Sequence, residues 1–443
     1  MKNKSYFLLS LGCAKNLVDS ESMASLLLDS GYKSLQKPEQ AEILIVNTCG
    51  FIKPARDESI EELQKLAKKK KKGQILIAAG CLTQHYRELI AKEVPGIDGI
   101  IGTKRWMDII DLIQDLRKEP NTPRYDIPEH ATIGTNEHGV LRAAIQGTNA
   151  YLKIADGCRR KCTYCAIPVI KGTQVSRPFD RIIAETQALA EKGVKEVILI
   201  AQDTTDYGSD LGMKDGLAHL LDQMVLHSPQ IPWYRILYAY PGVVTDKLIE
   251  IMAKHDQILP YLDIPLQHAD PVILKQMKRP FNMDHVYKMV EKLRLAMPGF
   301  AIRSTFIVGF PGETEKEFNT LLDFIRAIQF DHVGAFTYFQ EQGTSAYSLG
   351  DPVSADEKNY RLETLMTVQQ EISLKKNQTF IGKSIPVIIE DYNDGISVGR
   401  SYRDAPEIDG MVFIDDKLEI GDIYSIKITD AFIHDLVGIP TNR

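Results

Sequence analysis

Short apolar runs alternate with helix-length amphipathic segments in the first third of the chain. The apolar runs cover residues 6–11, 43–46 and 75–79, and the helical patterns cover residues 18–28 and 55–72. A strand followed by a helix, repeated several times, is typical of successive βα units in a parallel sheet. The sequence therefore predicts an N-terminal parallel α/β domain, which we assign to residues 1–135.

The middle of the chain, residues 144–375, carries the same alternation over a longer stretch. Six apolar runs of strand length are separated by helical patterns; they lie at residues 151–155, 196–202, 234–240, 261–267, 301–308 and 332–339. A complete parallel barrel of this kind needs eight βα units, so six units predict a partial (β/α)6 barrel. An incomplete barrel leaves a lateral opening, which suits a macromolecular substrate.

Beyond residue 377 the helical period gives way to short apolar runs separated by turns. These runs lie at residues 385–390, 396–400, 410–414 and 424–431. Such a pattern predicts a small C-terminal β-barrel over residues 377–443. The predicted fold class is therefore α/β, with an N-terminal parallel α/β domain, a central partial barrel and a small C-terminal β-barrel.

The composition of the chain indicates its cellular compartment and the role of its cysteines. The chain has 443 residues, of which 44% are hydrophobic and 25% charged, as in a soluble globular protein. Its longest apolar runs have strand length, far short of a membrane span, and its N-terminus lacks the cleavage site of a signal peptide. We therefore expect a cytoplasmic protein with no membrane association, whose six cysteines act as metal ligands or catalysts rather than in disulfides.

Three of the cysteines, Cys158, Cys162 and Cys165, form a C-x-x-x-C-x-x-C spacing. Three thiolates this close in sequence can hold one metal centre from a single loop. On a four-iron cluster, three ligands leave one iron open to bind another molecule. A zinc site completed by a distant histidine is the alternative.

The other three, Cys13, Cys49 and Cys81, each lie just past the end of an apolar run. Parallel sheets place ligand sites at the carboxyl ends of their strands, so these cysteines are expected to converge on one edge of the sheet. Their equivalent positions favour a second three-cysteine cluster with an open iron. Three separately buried core cysteines are the alternative.

The spacing CRRKCTYC, with Tyr164 before its last cysteine, resembles the radical S-adenosylmethionine superfamily. The resemblance implies that the open iron binds S-adenosyl-L-methionine and that one electron from the cluster yields a 5′-deoxyadenosyl radical. The stretch TFIVGFPGET, from Thr305 to Thr314, resembles the superfamily's T-x-x-V-G-F-P-G-E-T segment.

From this resemblance we expect five cofactor-binding residues: Tyr164, Gln202, Gln267, Arg303 and Gly309. Arg303 is expected to meet the carboxylate of the cofactor, and the glycine to admit close approach of the backbone. The two glutamines are expected on the adenosine or substrate side, although ordinary polar residues at a barrel rim are the alternative. The Gly-Glu pair familiar after the second strand is absent, and Gln202-Asp203 stands in its place.

The order of the three predicted parts resembles the methylthiotransferase family, whose C-terminal module is the TRAM domain. The stretches SLGCAKNLVDSE, from Ser10 to Glu21, and GRSYRDAPEIDG, from Gly399 to Gly410, resemble the branch that methylthiolates the β-carbon of an aspartate in a small-subunit ribosomal protein. Members that modify tRNA adenosine tend to begin T-x-G-C-Q-M-N instead. The resemblance implies two [4Fe-4S] clusters, two molecules of S-adenosyl-L-methionine, and an electron donor such as flavodoxin or ferredoxin.

Two alternatives to this function stay open. A tRNA adenosine methylthiotransferase would use identical chemistry on another substrate. A non-enzymatic electron carrier with two clusters would normally hold each cluster with four ligands, and it needs neither a barrel nor a chain this long.

The net charge of the C-terminal module distinguishes between the two possible substrates, a ribosomal protein and tRNA. Residues 378–443 contain twelve acidic and six basic residues, a net charge of −6 that equals the net charge of the whole chain. An acidic module repels phosphate and suits a basic protein, with Asp404, Glu407 and Asp409 as the expected contacts. The lysine run 68–72 is expected to be the solvated end of a helix, with contact to ribosomal RNA as the alternative.

Overall fold

A six-stranded parallel sheet forms the N-terminal part of the molecule, of which the computed structural model describes residues 4–119, 122–127 and 137–441. The strands are β1 (Ser5–Ser10), β2 (Lys33–Ser34), β3 (Ile43–Thr48), β4 (Ile75–Gly80), β5 (Gly99–Ile101) and β6 (Arg124–Asp126). The helices are α1 (Ala14–Asp29), α2 (Lys53–Lys69), α3 (Cys81–Glu93) and α4 (Ile109–Lys118). The strand order is β2-β1-β3-β4-β5-β6, so the predicted parallel domain is confirmed. Its predicted end at residue 135 lies outside the described residues.

Helices cover both faces of this sheet, which explains its continuous apolar strands. All six residues of β3 are buried, as expected where a parallel strand packs on two sides. One face packs against α1 and α4 through residues such as Met23 and Ile113. The other packs against α2 and α3 through residues such as Leu63 and Ile90.

The lysine run departs from the predicted helix end. Helix α2 ends at Lys69, three residues before the predicted end. The next two lysines turn back to the sheet: Lys70 forms an ion pair of 2.7 Å with Asp98, and Lys71 donates to the carbonyl of Glu39 at 3.0 Å. These contacts replace further helical turns.

The central part is an open seven-stranded sheet. Its strands, with a short separate pair, are β7 (Ala143–Gln146), β8 (Asn149–Lys153), β9 (Ala155–Asp156), β10 (Val175–Ser176), β11 (Glu196–Ile200), β12 (Trp233–Ile236), β13 (Ile258–Asp263), β14 (Ala301–Val308) and β15 (His332–Thr337). Its helices are α5 (Ile167–Lys171), α6 (Phe179–Glu191), α7 (Gly216–His227), α8 (Asp246–Lys254), α9 (Pro271–Gln276), α10 (Met283–Ala296), α11 (Glu315–Ile328) and α12 (Ala355–Gln378).

The predicted six parallel strands are confirmed in the order β15-β14-β13-β12-β11-β8, and an unpredicted β7 pairs antiparallel with β8 at one edge. Two predicted strands, 234–240 and 261–267, end early in the structure. The chain leaves the extended conformation there, because Tyr238 and Gln267 adopt left-handed backbone angles with φ of 62° and 76°. Both residues therefore lie just beyond the carboxyl ends of their strands, at the end of the barrel where catalytic residues collect.

The C-terminal part is a closed barrel of five strands. They are β16 (Ser384–Asn393), β17 (Ile396–Ser401), β18 (Val412–Ile414), β19 (Ile423–Ala431) and β20 (Leu436–Pro440), joined in the order β16-β17-β18-β20-β19. Buried residues such as Val387, Ile389 and Ile426 fill its interior. The predicted β-barrel is confirmed, and β20 is the strand that the sequence pattern did not predict.

The inner face of the central sheet packs against the other two parts of the molecule rather than against its own helices. Tyr151 and Ile198 of this face share one apolar cluster with Val18 of α1 and with Ile388 and Ala405 of the C-terminal barrel. Side chains that alternate with these along each strand form the outer face of the sheet, and this face packs against the barrel helices. Helix α1 thus carries its N-terminus to the inside of the partial barrel.

This packing corrects the expected role of two acidic residues. Asp404 is 4% exposed, and the Asp409 side chain is 1% exposed. The carboxylate of Asp409 accepts a hydrogen bond from the hydroxyl of Tyr261 at 2.7 Å and pairs with Arg303 at 3.2 Å. The prediction that both residues contact a partner at the surface is wrong, because they join the C-terminal barrel to the central sheet. Glu407 alone of the three is exposed.

Candidate cluster and cofactor site

The first three cysteines lie at the carboxyl ends of three adjacent strands. Cys13 precedes α1, Cys49 directly follows β3, and Cys81 follows β4 as the first residue of α3. Strands β3 and β4 pair Thr48 with Gly80, so the cysteine after each lies at an equivalent position. The predicted layout of strand, cysteine and helix is confirmed. We call these three residues the N-terminal triad; their role as cluster ligands stays a prediction.

Two asparagines and a glycine hold the loops of this triad together. The side-chain amide of Asn16 donates to the carbonyls of Leu11 at 2.7 Å and Thr48 at 3.2 Å, and that of Asn47 donates to the carbonyl of Asn16 at 2.9 Å. Gly12 has φ of 90°, and a β-carbon there would lie 2.7 Å from that of Cys49. The sequence pattern did not single out these residues, although Gly12 and Asn16 lie inside the motif SLGCAKN.

The electrostatic surroundings differ within the N-terminal triad. Burial raises the pKa of Cys81 to about 12, with further contributions from Cys13 and Cys49, and burial likewise raises the pKa of Cys49. The side chain of Cys13 is exposed on one side, and the protein atoms packed around the rest of it would raise its pKa, but the ammonium group of Lys15 and the backbone N–H groups of Asn16 and Lys15 outweigh this desolvation and lower the pKa of Cys13. Cys13 is therefore the thiol of this triad that is disposed to ionise without a metal.

The other three cysteines, which we call the central triad, share the loop between β9 and α5. This loop is tied to the rest of the domain through Thr163, whose N–H donates to the carbonyl of Met277 at 3.1 Å and whose carbonyl accepts from Ala346 at 2.7 Å. Burial raises the pKa of Cys158 to about 11 and that of Cys165 to about 12. The loop geometry is thus fixed by tertiary contacts, and the thiols of Cys158 and Cys165 need a nearby cation to ionise at neutral pH.

Arginines surround the central triad. A guanidinium nitrogen of Arg279 lies 3.8 Å from the sulfur of Cys162, and the same group stacks on the ring of Tyr240 at 4.3 Å. Arg160 contacts that ring at 4.3 Å as well and pairs with Asp203 at 2.8 Å. Positive charge next to three thiols favours their ionised form.

The donor sets fit clusters better than single ions. In the described part of the chain, no three His, Cys, Asp or Glu side chains converge closely enough to hold one metal ion. A zinc ion needs four ligands at about 2.3 Å for sulfur, whereas each cysteine of a four-iron cluster binds a different iron. Neither triad is joined by a disulfide, since all six cysteines are free. Three thiols are the donor set of a four-iron cluster with one open iron, so each triad would fit such a cluster, and its binding there stays a prediction.

A buried ion network links the two triads. The carboxylate of Asp19, in α1, forms ion pairs with Lys153 at 2.5 Å, with Lys171 at 3.1 Å and with Arg142 at 2.6 Å. Asp156 pairs with Lys153 at 3.1 Å and with Lys171 at 3.2 Å. Because Asp156 precedes the central triad and Lys171 ends the helix after it, the network fixes that loop to the helix that follows Cys13.

Two of the predicted cofactor-binding residues, Gln202 and Tyr164, lie near the central triad, and a third, Gln267, lies at the carboxyl end of the barrel strands. Gln202, just beyond β11, donates to Asp156 at 3.0 Å. Gln267 lies beyond β13, and its backbone bonds to both Thr305 and Ile307 at 2.8 Å. Tyr164 lies next to Cys162 and Cys165, and burial raises its pKa well above the usual value. Contact of these residues with the cofactor stays a prediction.

Arg303 and Gly309 have partners within the protein. Arg303 pairs with Asp263 at 3.1 Å in addition to Asp409, so a cofactor carboxylate would have to compete with two resident carboxylates. A β-carbon at Gly309 would lie 2.4 Å from the side chain of Lys358, so the glycine is required by packing. Cofactor binding by these two residues also stays a prediction.

An open cleft of about 930 Å³ lies between the N-terminal domain and the segment that follows β15, the last strand of the barrel. Arg56, His85 and Tyr86 line it on one side, and Phe339 and Glu341 line it on the other. The hydroxyl of Tyr86 donates to Glu341 across the cleft. Tyr86 has non-helical backbone angles inside α3, five residues after Cys81, so the cleft begins near the N-terminal triad.

Three family descriptions match the chain. They are the uncharacterized protein family UPF0004 over residues 5–102, the radical SAM superfamily over residues 152–325 and the TRAM domain over residues 381–440. None of the helices within residues 4–119, 122–127 and 137–441 is long and apolar enough to span a membrane.

Relatives match over nearly the whole length. The ribosomal protein uS12 methylthiotransferase RimO of Roseiflexus sp. (strain RS-1) is 42% identical over 455 residues, which cover 98% of this chain and 96% of that protein. The protein of the same name from Caldanaerobacter subterraneus subsp. tengcongensis is 44% identical over 435 residues, covering 97% and 98%.

Solved structures share the fold at low identity. TsrM from Kitasatospora setae, a radical S-adenosylmethionine methyltransferase with cobalamin and a [4Fe-4S] cluster bound, superposes with a TM-score of 0.58 at 12% identity, covering 89% of this chain and 80% of that one. OxsB, a cobalamin-dependent S-adenosylmethionine radical enzyme, superposes with a TM-score of 0.55 at 11% identity, covering 83% and 56%. These likenesses concern the fold alone.

Proposed function

The chain belongs to the family of ribosomal protein uS12 methylthiotransferases, which are radical S-adenosylmethionine enzymes, and on that premise we propose that it attaches a methylthio group to the β-carbon of an aspartate in uS12. The observation that carries the proposal is the match over 98% of the chain, combined with two separate cysteine triads. With one cluster at each triad, radical formation and sulfur delivery would be separate tasks.

The residues that would hold the cofactors follow from the geometry above. The central triad would hold the [4Fe-4S] cluster that binds S-adenosyl-L-methionine, and the N-terminal triad would hold a second [4Fe-4S] cluster. Together these groups would supply a 5′-deoxyadenosyl radical, a sulfur atom and, from a second S-adenosyl-L-methionine, a methyl group. The protein's part is to bind, to orient and to exclude water.

The chain performs that part with rigid contacts. The network of Asp19, Asp156, Lys153 and Lys171 fixes the distance between the two triads. Val18 of α1 packs in an apolar cluster with Tyr151 and Ile198 of the inner face of the sheet, and this packing excludes water there. Precise placement of reactants contributes several kcal/mol to such reactions.

The surface charge supports a basic protein as substrate. Within the described part of the C-terminal barrel, seven acidic residues are exposed against three exposed lysines; the acidic ones are Asp391, Asp394, Glu407, Asp415, Glu419, Asp422 and Asp430. A surface of this kind attracts a basic ribosomal protein and repels tRNA. The cleft beside α3, with the exposed side chains of Phe339 and Tyr347 in its lining, offers an entry for a protein segment.

We extend the proposal to the remaining partners. The reaction needs an external electron, for which an acidic carrier such as flavodoxin or ferredoxin is suited, since Lys161 is exposed on the loop of the central triad. A substrate that is a ribosomal protein supports a cytoplasmic location.

The direct test is methylthiolation by the reconstituted protein. Anaerobically loaded enzyme is mixed with S-adenosyl-L-methionine, sulfide, a reductant and either uS12 or bulk tRNA, and both substrates are analysed by mass spectrometry. We expect a methylthio group on one aspartate of uS12, and none on uS12 in which that aspartate is replaced by alanine. Modification of tRNA with unmodified uS12 would establish the alternative instead.

A second test addresses the acidic surface. The triple variant D415K/E419K/D422K should weaken binding of uS12 severalfold at low salt, and less at 0.15 M, where screening acts over about 8 Å. A matched control reverses three exposed acids on the outer barrel helices, Glu191, Glu250 and Glu291, with the same change in net charge. Equal effects of the two variants would mean that net charge, and not this surface, guides the substrate.

A further inference from the structure

One lysine of the site differs from the others in its partners. Lys15 is the second residue of α1 and lies two residues beyond Cys13. Its ammonium nitrogen lies 3.2 Å from the ring centroid of Tyr238, inside the barrel. The Lys15 side chain is partly exposed, and Cys13 beside it is exposed, so a ligand can reach both.

The charge of Lys15 has no counterion at contact distance. The buried lysines of the same region, Lys153 and Lys171, each pair with two carboxylates. For Lys15, no carboxylate within the described part of the chain lies within 4 Å, and its contact is an aromatic face. A charge that is partly removed from water is stabilised by a counterion, so this position favours an anionic ligand.

The neighbouring charges are already matched. Asp263, the carboxylate on the strand next to Tyr238, is paired with Arg303 at 3.1 Å, and Arg303 has Asp409 as its second partner. An incoming carboxylate would therefore displace resident carboxylates at Arg303, whereas at Lys15 it would displace no carboxylate, because Lys15 contacts Tyr238 and only feels Asp263 and Cys13 from a longer distance. Of Lys15 and Arg303, Lys15 is therefore the cation that has no carboxylate in contact with it.

Tyr238 is held under Lys15 at a conformational cost. Its φ of 62° lies in the left-handed region, which is an outlier for an aromatic residue and strains the backbone. The surrounding structure enforces it, because the N–H of Tyr238 donates to Asp263 at 3.3 Å and its carbonyl accepts from Thr204 at 3.1 Å. Strain of this kind persists where the side chain must occupy one place, here the place that orients Lys15.

We propose that Lys15 binds the side-chain carboxylate of the target aspartate. The inference rests on the proposed function and deepens it, since it names the group that selects and orients the substrate. In an aspartate the β-carbon is bonded directly to the carboxylate carbon, so fixing the carboxylate places the reacting carbon within one bond of a fixed point. Lys15 would thereby hold that carbon beside Cys13 and the N-terminal triad.

A double-mutant cycle tests the contact. Wild-type, K15M and K15R holoenzymes are titrated with two synthetic peptides of the uS12 target segment, one with the aspartate and one with asparagine in its place. K15M should weaken binding of the aspartate peptide by about 10–100-fold, in the range of coupling between close charge pairs. It should leave the asparagine peptide within about twofold, and K15R should recover most of the loss. K288M, on the outer helix α10, is the matched control and should change neither peptide.

Several results would overturn the inference. Equal losses for both peptides would assign Lys15 to the fold, and unaltered binding of the aspartate peptide would remove it from recognition. Loss of about half the iron in K15M would assign the lysine to the cluster at Cys13. If K15M does not fold, K15Q provides the same comparison. Failure of the wild type to modify uS12 at all would overturn the proposed function, whereas modification with no effect of K15M would overturn only this inference.

Discussion

The two cysteine triads are built in opposite ways. The central triad lies within eight residues of one loop, and that loop is positioned by contacts with Met277 and Ala346. The N-terminal triad spans 69 positions of sequence, from Cys13 to Cys81, and is assembled by the pairing of adjacent strands. Local sequence defines the first and topology defines the second. A change in the sheet should therefore affect the N-terminal triad while the central triad remains, which makes their functions separable.

The largest expected effect comes from the central triad. Replacing Cys158, Cys162 and Cys165 together with alanine should lower the iron content from about eight to about four per chain, because one four-iron cluster is lost. Cleavage of S-adenosyl-L-methionine to 5′-deoxyadenosine should fall to background. Iron and sulfide assays and chromatography of the nucleoside measure both. Full iron content, or zinc in its place, would contradict the assignment of this triad.

The corresponding change in the N-terminal triad should separate the two half-reactions. Replacing Cys13, Cys49 and Cys81 with alanine should also halve the iron, but 5′-deoxyadenosine should still form since the central triad is intact. Methylthiolation of uS12 should be lost. The triple alanine variant of the central triad is the control. Both variants should lose half the iron, but only the variant of the N-terminal triad should still release 5′-deoxyadenosine. Methylthiolation retained in this variant would remove the sulfur-carrying role from the N-terminal triad.

A smaller effect is expected where the two triads are joined. Burial would raise the pKa of Asp19, but the ammonium groups of Lys153 and Lys171 and the guanidinium of Arg142 outweigh it and hold that pKa well below its usual value. D19N leaves three buried cations with one carboxylate fewer, which should lower the free energy of unfolding by about 3–5 kcal/mol. Denaturant titration of the metal-free protein measures the loss.

The pH dependence of this variant follows from the sign of the shift. A depressed pKa means that the stabilisation by Asp19 is present above the unfolded value of about 4 and is lost as the pH falls below it. The difference between wild type and D19N should therefore shrink in acid. D323N, which breaks an exposed pair with Arg326, should cost less than about 1 kcal/mol at any pH. A D19N loss as small as this control would show that the network does not join the triads.

The contrast between the triads also explains what the sequence could predict. Apolar runs and cysteine spacing are local, so the three strands before the N-terminal triad, the six barrel strands and the positions of all six cysteines could be predicted from them. The burial of Asp409 could not, since its partners Tyr261 and Arg303 lie more than one hundred positions away. The pairing of Asp19 with Lys153 and Lys171 was missed for the same reason. The shorter strands, such as β5 and β7, have too few apolar positions to show a period.

The smallest expected effect is a difference in ionisation between the triads, seen in the metal-free protein. Cys13 has a lowered pKa because Lys15 and two backbone N–H groups outweigh its burial, whereas burial raises the pKa of Cys158 to about 11 and of Cys81 and Cys165 to about 12.

Thiolates are the reactive species, so iodoacetamide should modify Cys13 at least about tenfold faster than Cys81 at neutral pH. Access sets the absolute rates, but the change of rate with pH reports ionisation. Between pH 6 and 9 the rates at Cys81, Cys158 and Cys165 should keep rising about tenfold per unit, and the rate at Cys13 should reach its plateau at a lower pH than theirs. Mass spectrometry of the labelled peptides measures each site in one sample, and K15M should move the plateau at Cys13 to higher pH. The same plateau pH for Cys13 and Cys158 in the wild type would show that the two triads do not differ in this respect.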